Sequence, residues 1–218
     1  MKRILLLIAL LAVGWTNAPV RELKLYKTYG DSAEIFDETV RIADLDKGVG
    51  YFLRRTVDSC RSNAAAHGSS PQSIGSMGGR WLEWAVLVAL KARSLTPAYW
   101  QAEFAAVPNT FNDVMVWSRE HGPVIISCKT SLRERYKQAD LEAATLRMHY
   151  PAGKFFLLTL DKDRNHIVRV RQKIKNGEVI ALQAIYADDN ADDLFAFLKT
   201  LTMTEPEAKV LRSATEVR

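Results

Sequence analysis

The sequence predicts an α/β domain with a mixed central β-sheet flanked by helices. Two observations carry that expectation. A nearly all-apolar helix candidate at 81–92 (WLEWAVLVALKA) leads into three strand candidates separated by turn residues. A charged helix candidate, further strands and an amphipathic helix then follow in order, which suits helices packed on a mixed sheet. The 218 residues are enough for one substantial core, and we read 19–218 as a single domain with a helical part at 19–79 and a core at 80–201. With 48% hydrophobic and 25% charged residues and no low-complexity tract, the composition is that of an ordinary globular protein.

At the start, Lys2 and Arg3 precede an apolar run at 4–13, in the form of the first two regions of a signal peptide. Thr16-Asn17-Ala18 would be a weak cleavage site, with Pro19 unfavourable after it, and the run is too short for a transmembrane helix. A buried strand or helix, or a start placed too far upstream, would give the same residues. Residues 32–45 and 48–66 read as helices, the first on the spacing of Ile35, Phe36, Val40, Ile42 and Leu45. Residues 67–79 (HGSSPQSIGSMGG) read as a Gly/Ser loop; its small residues could contact phosphates, although a surface loop is the simpler reading.

The strand candidates are 99–107, 111–118 and 124–129, with turns at Pro108-Asn109 and His121-Gly122-Pro123, hence a meander of neighbouring strands. Ser131 is a good N-cap for a helix running to about Tyr150, stopped by Pro151 and Gly153. A strand at 155–160 follows. Residues 166–174 and 178–186 are expected to form a hairpin around Lys175-Asn176-Gly177. A last helix spans about 191–201, and the polar tail after Thr204 is expected to fray.

The formal net charge of +5 suits a polyanionic partner but is common among soluble proteins. Cys60 and Cys128 have no partner at zinc-site spacing, so both are expected as reduced, buried thiols, with Cys128 pointing away from Ser127 and Lys129 on its strand. His67, His121, His149 and His166 are scattered and no GxSxG elbow occurs, which speaks against a Ser/His hydrolase.

Four residues stand out chemically. Asp113 opens an apolar strand and shares a face with Met115 and Trp117; alone, it could be an acidic strand end. Lys129 ends a strand on the face of Ile125 and Ser127, where it either snorkels to solvent or serves chemistry. Glu142 flanks the apolar stripe of the next helix, beside Ala139 and Leu146. Glu83 is set among Trp81, Leu82, Trp84 and Ala85, where a carboxylate is costly unless it is paired, bound to metal or exposed at the helix start. Two or three carboxylates can hold Mg²⁺, and a nearby lysine can stabilise charge on an attacked phosphate. Arg133-Glu134-Arg135 suits major-groove reading, with arginine bidentate to guanine and glutamate accepting from cytosine. Arginines in a first helical turn also oppose the macrodipole, which asks for an external reason such as DNA.

This pattern resembles the PD-(D/E)xK nuclease superfamily, and more closely its type II restriction endonucleases for CCGG-like and CCNGG-like sites. The resembling stretch covers about 80–160: Asp113, then Ser127-Cys128-Lys129, then Lys129-Thr130-Ser131-Leu132-Arg133-Glu134-Arg135, with the second acid displaced to Glu142 and Glu83 like the family's outer acidic residue. Asn112 stands where the family name has proline, and Ser127 stands in place of the second acid, so activity would depend on Glu142, or on Asp140 or Glu134 in its stead. The resemblance implies a restriction-endonuclease-like core and a Mg²⁺-dependent enzyme that cuts duplex DNA as a homodimer on a palindromic G·C-rich site. Catalytic roles would fall to Asp113, Lys129, Glu142, Glu83 and Ser127, metal binding to Asp113, Glu142 and the Cys128 carbonyl, and base reading to Arg133, Glu134 and Arg135. A protecting DNA methyltransferase would be its counterpart; the expected location is the cytoplasm, next to DNA, with no stable membrane partner. The competing readings are an exported nonspecific nuclease, which the first residues favour, and an inactive DNA-binding relative in which Ser127 marks a lost acid.

Overall fold

The computed structural model describes residues 19–26 and 30–218, so the signal-like segment lies outside the described residues. Its centre is a six-stranded mixed sheet. Strands β1 (Ala98–Phe104), β2 (Val107–Ser118) and β3 (Gly122–Lys129) form the expected antiparallel meander. Helix α5 (Arg135–His149) then crosses over to β4 (Lys154–Thr159), and α6 (Arg164–Lys175) to β5 (Ala184–Ala187), both strands joining in parallel. Strand β6 (Leu211–Val217) returns to pair antiparallel with β1, giving the order β5-β4-β3-β2-β1-β6.

Strand alternation sends side chains to two cores. Val114, Val116, Ile126, Cys128 and Leu158 face α3 (Val49–Ala66), α4 (Pro71–Ala92) and α7 (Ala191–Lys199), along with the shorter α1 (Pro19–Glu22), α2 (Asp31–Thr39) and a 3-10 turn (Ile42–Lys47). Met115, Ile125, Phe155 and Leu157 face α5 and α6, which supply Ala139, Ala143, Leu146, Ile167 and Val170. Both thiols are free and buried, and Cys128 points to the face opposite Ser127, as period-two alternation requires. Among the described residues no helix is long and apolar enough to cross a membrane.

Several expectations are corrected. The stretch at 67–79 is a loop only as far as Ser70: the Ser70 side chain accepts from the Ser73 N–H at 3.2 Å and Pro71 occupies the first turn, so α4 begins nine residues before Arg80. The helix expected at 32–45 ends at Thr39, whose hydroxyl donates back to the Ile35 carbonyl at 2.6 Å, and resumes as the 3-10 turn. The hairpin does not exist. Residues 164–175 are α6, with Ile167, Val170 and Ile174 packed at helical spacing, and Asn176-Gly177 ends that helix, Gly177 having φ 75°. The tail is no frayed end, because β6 lies within it. Helix α5 begins at Arg135 rather than Ser131, with Glu134 at its N-cap position.

Candidate active site

The site forms where β2 and β3 part. Their ladder runs from Ser118–Gly122 to Val114–Ile126 and stops there, while β3 continues beside β4 to the Lys129–Thr159 pair. Cys128 therefore lacks a backbone acceptor on β2, and its N–H donates instead to Asp113 Oδ2 at 2.7 Å. The same oxygen accepts from the Ser127 hydroxyl at 3.2 Å and the Lys129 ammonium at 2.9 Å. Asp113, Ser127 and Lys129 thus meet at the carboxyl ends of β3 and β4, which is where open α/β sheets place ligands.

Lys129 and Asp113 are each only 15% exposed in their side chains. Burial works against the Lys129 charge, but the carboxylate of Asp113, with a smaller contribution from Glu142, outweighs it and raises the ammonium above its usual value. Glu142 shares a small depression with Asp113, Ser127 and Phe111, and accepts from Gln138 Nε2 at 2.8 Å. The other acids of α5 are committed or remote. Asp140 accepts the N–H groups of Ile180, Ala181 and Leu182, and exposed Glu134 pairs with Lys137.

Glu83 approaches from α4. Its Oε2 accepts from Trp100 Nε1 and Gln101 Nε2, both at 2.8 Å. Gln101 lies between the Trp100–Val114 and Ala102–Asn112 pairs, hence opposite Asp113, and adopts a left-handed φ of 51°. Burial first, then the charge of Asp113, pushes the Glu83 carboxyl up to about 7. Trp100 and Gln101 were not legible as site residues, because strand alternation carries no sign of the irregular register of β1 against β6 between Trp100 and Glu103.

No group of three or more His, Cys, Asp or Glu side chains sits together as a metal cage among the described residues. Mg²⁺ needs none, since it takes one or two carboxylates and keeps several waters. The residues fit that demand. Asp113 uses only Oδ2 for its three donors, Glu142 lines the same depression, and the Cys128 carbonyl is on the parted strand.

Arg133 and Glu134 are exposed on the turn after β3, and Arg135 is exposed at the start of α5. Leu132 anchors that turn: its side chain is fully buried and its N–H donates to the Asp161 carboxylate at 2.6 Å. Arg133 has φ 32° and precedes the helix, so the macrodipole argument applies to Arg135 and not to the whole triplet.

A mixed six-stranded sheet in this order with helices on both faces is a restriction-endonuclease-like fold. The chain is similar to a solved structure of restriction endonuclease PspGI in complex with substrate DNA, at 14% identity and a TM-score of 0.52, covering 84% of this chain and 96% of that one. No family model matches the sequence, and no curated protein matches it.

Proposed function

We propose that the protein is a Mg²⁺-dependent, site-specific endonuclease that hydrolyses phosphodiester bonds of duplex DNA. The observation that carries this is the convergence of Ser127, Cys128 and Lys129 on one oxygen of Asp113 at the parted ends of β2 and β3. The PspGI–DNA complex supports it as a likeness of fold.

Asp113, Glu142 and the Cys128 carbonyl would hold the cation, with Glu83 as an outer carboxylate. Bound there, Mg²⁺ supplies a water of lowered pKa and neutralises charge on the phosphate. Lys129, kept protonated by Asp113, is unsuited to act as a base; it puts a fixed positive charge and N–H donors where charge grows on the attacked phosphate. Ser127 and the Cys128 N–H hold Asp113 in place. The exposed Arg133, Glu134 and Arg135 would read G·C pairs in the major groove, as one half of a homodimer on a palindrome, and a methyltransferase would shield host DNA. We place such an enzyme in the cytoplasm.

Incubating the purified protein with unmethylated phage DNA, with Mg²⁺ and with EDTA, tests the reading. Discrete Mg²⁺-dependent fragments are expected. A smear would replace site-specific cleavage by nonspecific hydrolysis, and intact DNA across metals and salts would reject the nuclease altogether.

A further inference from the structure

The N-terminal half of α4 is unused by the site above. Ile74 and Met77 pack on the core, and a methyl group on Gly78 would come within 3.4 Å of Arg61 Nη2 and 3.8 Å of Thr130 Cγ2, so this side of the helix lies against the residue that follows Lys129. The other side carries Gln72, Gly75, Ser76, Gly79 and Arg80, at helical spacing that continues to Glu83. Methyl groups on Gly75 or Gly79 would meet nothing within 4 Å among the described residues. Five glycines and serines in the first nine residues of a 22-residue helix disfavour helix formation, and three of them, Gly75, Ser76 and Gly79, lie on the open side, where packing gives no reason for them.

This side borders a cleft of about 1030 Å³, lined by Ser76, Gly79, Arg80, Glu83 and Trp84 of α4, by residues of β1 and β6, and by Asp31 to Ala33 at the start of α2. Two polar groups in its wall are unspent. Arg80 is exposed and has no ion pair or hydrogen bond among the described residues. Trp84, only 2% exposed, lines the cleft with its Nε1 N–H unpartnered among the described residues. A buried indole N–H without an acceptor is costly, and an oxygen held in the cleft would reach it once the wall shifts, since the nitrogen itself is closed to solvent.

We propose that the side of α4 from Gln72 to Arg80 is a track for the sugar–phosphate backbone of one DNA strand entering the site, with Arg80 meeting a phosphate. The proposal rests on the endonuclease reading and adds the surface that holds its substrate. From Gln72 to Glu83 the helix rises roughly 16 Å, about five nucleotide steps along a strand. Gly75, Ser76 and Gly79 let the backbone approach the helix closely, and the contact reads no bases, so its contribution is the same for any sequence.

Binding of a fluorescein-labelled random-sequence duplex and of a labelled fragment of phage DNA, measured by anisotropy over a range of salt in EDTA, tests it. Arg80→Ala should weaken both by a similar factor of roughly ten and lower the salt slope by about one. The pair Gly75→Leu/Gly79→Leu should keep or raise the melting temperature, since the positions are open and leucine favours helix, yet weaken both duplexes about tenfold or more. Wild-type affinity and slope in both variants would overturn the track while leaving the nuclease standing, provided the wild type cuts in Mg²⁺. A wild type that neither binds nor cuts DNA would overturn both. Loss confined to one sequence would also reject the track, since it would mean base reading.

Discussion

At the scale of single residues, the site is a balance of charges around Asp113. Lys129→Ala removes the cation next to a carboxylate that keeps its Ser127 and Cys128 donors, so the fold should survive. Cleavage of phage DNA should fall by about 10²–10³-fold or more while binding without metal changes little. Cleavage at the wild-type rate would reject this lysine. Glu83 gives a pH signature. Its folded value of about 7 lies above the ordinary 4.5, so below pH 4.5 both states are neutral there and nothing is lost. Between those values the unfolded chain ionises first, and stability declines as pH rises until the folded carboxyl also ionises. Glu83→Gln should remove this decline, which amounts to roughly 3 kcal/mol at most. Urea melts in EDTA at acid and slightly alkaline pH measure it, and parallel pH profiles for variant and wild type would contradict the raised carboxyl.

At the scale of elements, what was legible depended on whether local pattern and tertiary context agree. The meander and the Lys129 strand end were readable because Val114–Val116 and Val124–Ile126 are β-branched or apolar runs, although the turn expected at Pro108-Asn109 falls at Ala105-Ala106 and those two residues belong to β2. Residues 164–175 were not, since Val168 and Val170 imitate strand alternation; only burial of Ile167 and Val170 with Val168 60% exposed shows the helical side. The glycines and serines of 67–79 hid a helix start that Ser70 and Pro71 signal. The turn bearing Arg133 to Arg135 depends on Asp161, a strand-end residue 29 positions away that sequence spacing could not link to it. Asp161→Ala should leave the Leu132 and Asp163 N–H groups without acceptors and cost about 1–3 kcal/mol. Because the turn loosens, specific binding should weaken more than random binding, as a comparison of the two duplex affinities would reveal. An equal loss on both would mean the turn does not present base-reading side chains.

At the scale of the molecule, the sheet is held at one edge by a strand that looked like a polar tail. Residues 211–217 (LRSATEV) are too polar for the pattern of a buried strand, and their pairing with β1 is a long-range fact invisible to local reading. Three things tie β6 down. Val217 is 1% exposed, the Ser213 hydroxyl and Arg212 meet the Glu103 carboxylate, and backbone pairs run from Ala98–Val217 to Phe104–Leu211. β6 also lines the cleft that α4 borders, through Ser213, Ala214 and Thr215. A chain ending at Pro206 would uncover the edge of β1, leave the buried Glu103 carboxylate short of two partners and open the cleft on one side. Burial of one valine side chain is worth about 1.5–3 kcal/mol, so the loss should be at least about 2 kcal/mol, or roughly 4–8 °C in the melting temperature of a domain this size. DNA affinity should fall with it even where the truncated protein is still folded, since the β6 part of the cleft lining is gone. A truncated chain that melts and binds as the full chain does would show that the strand closes neither the sheet nor the cleft.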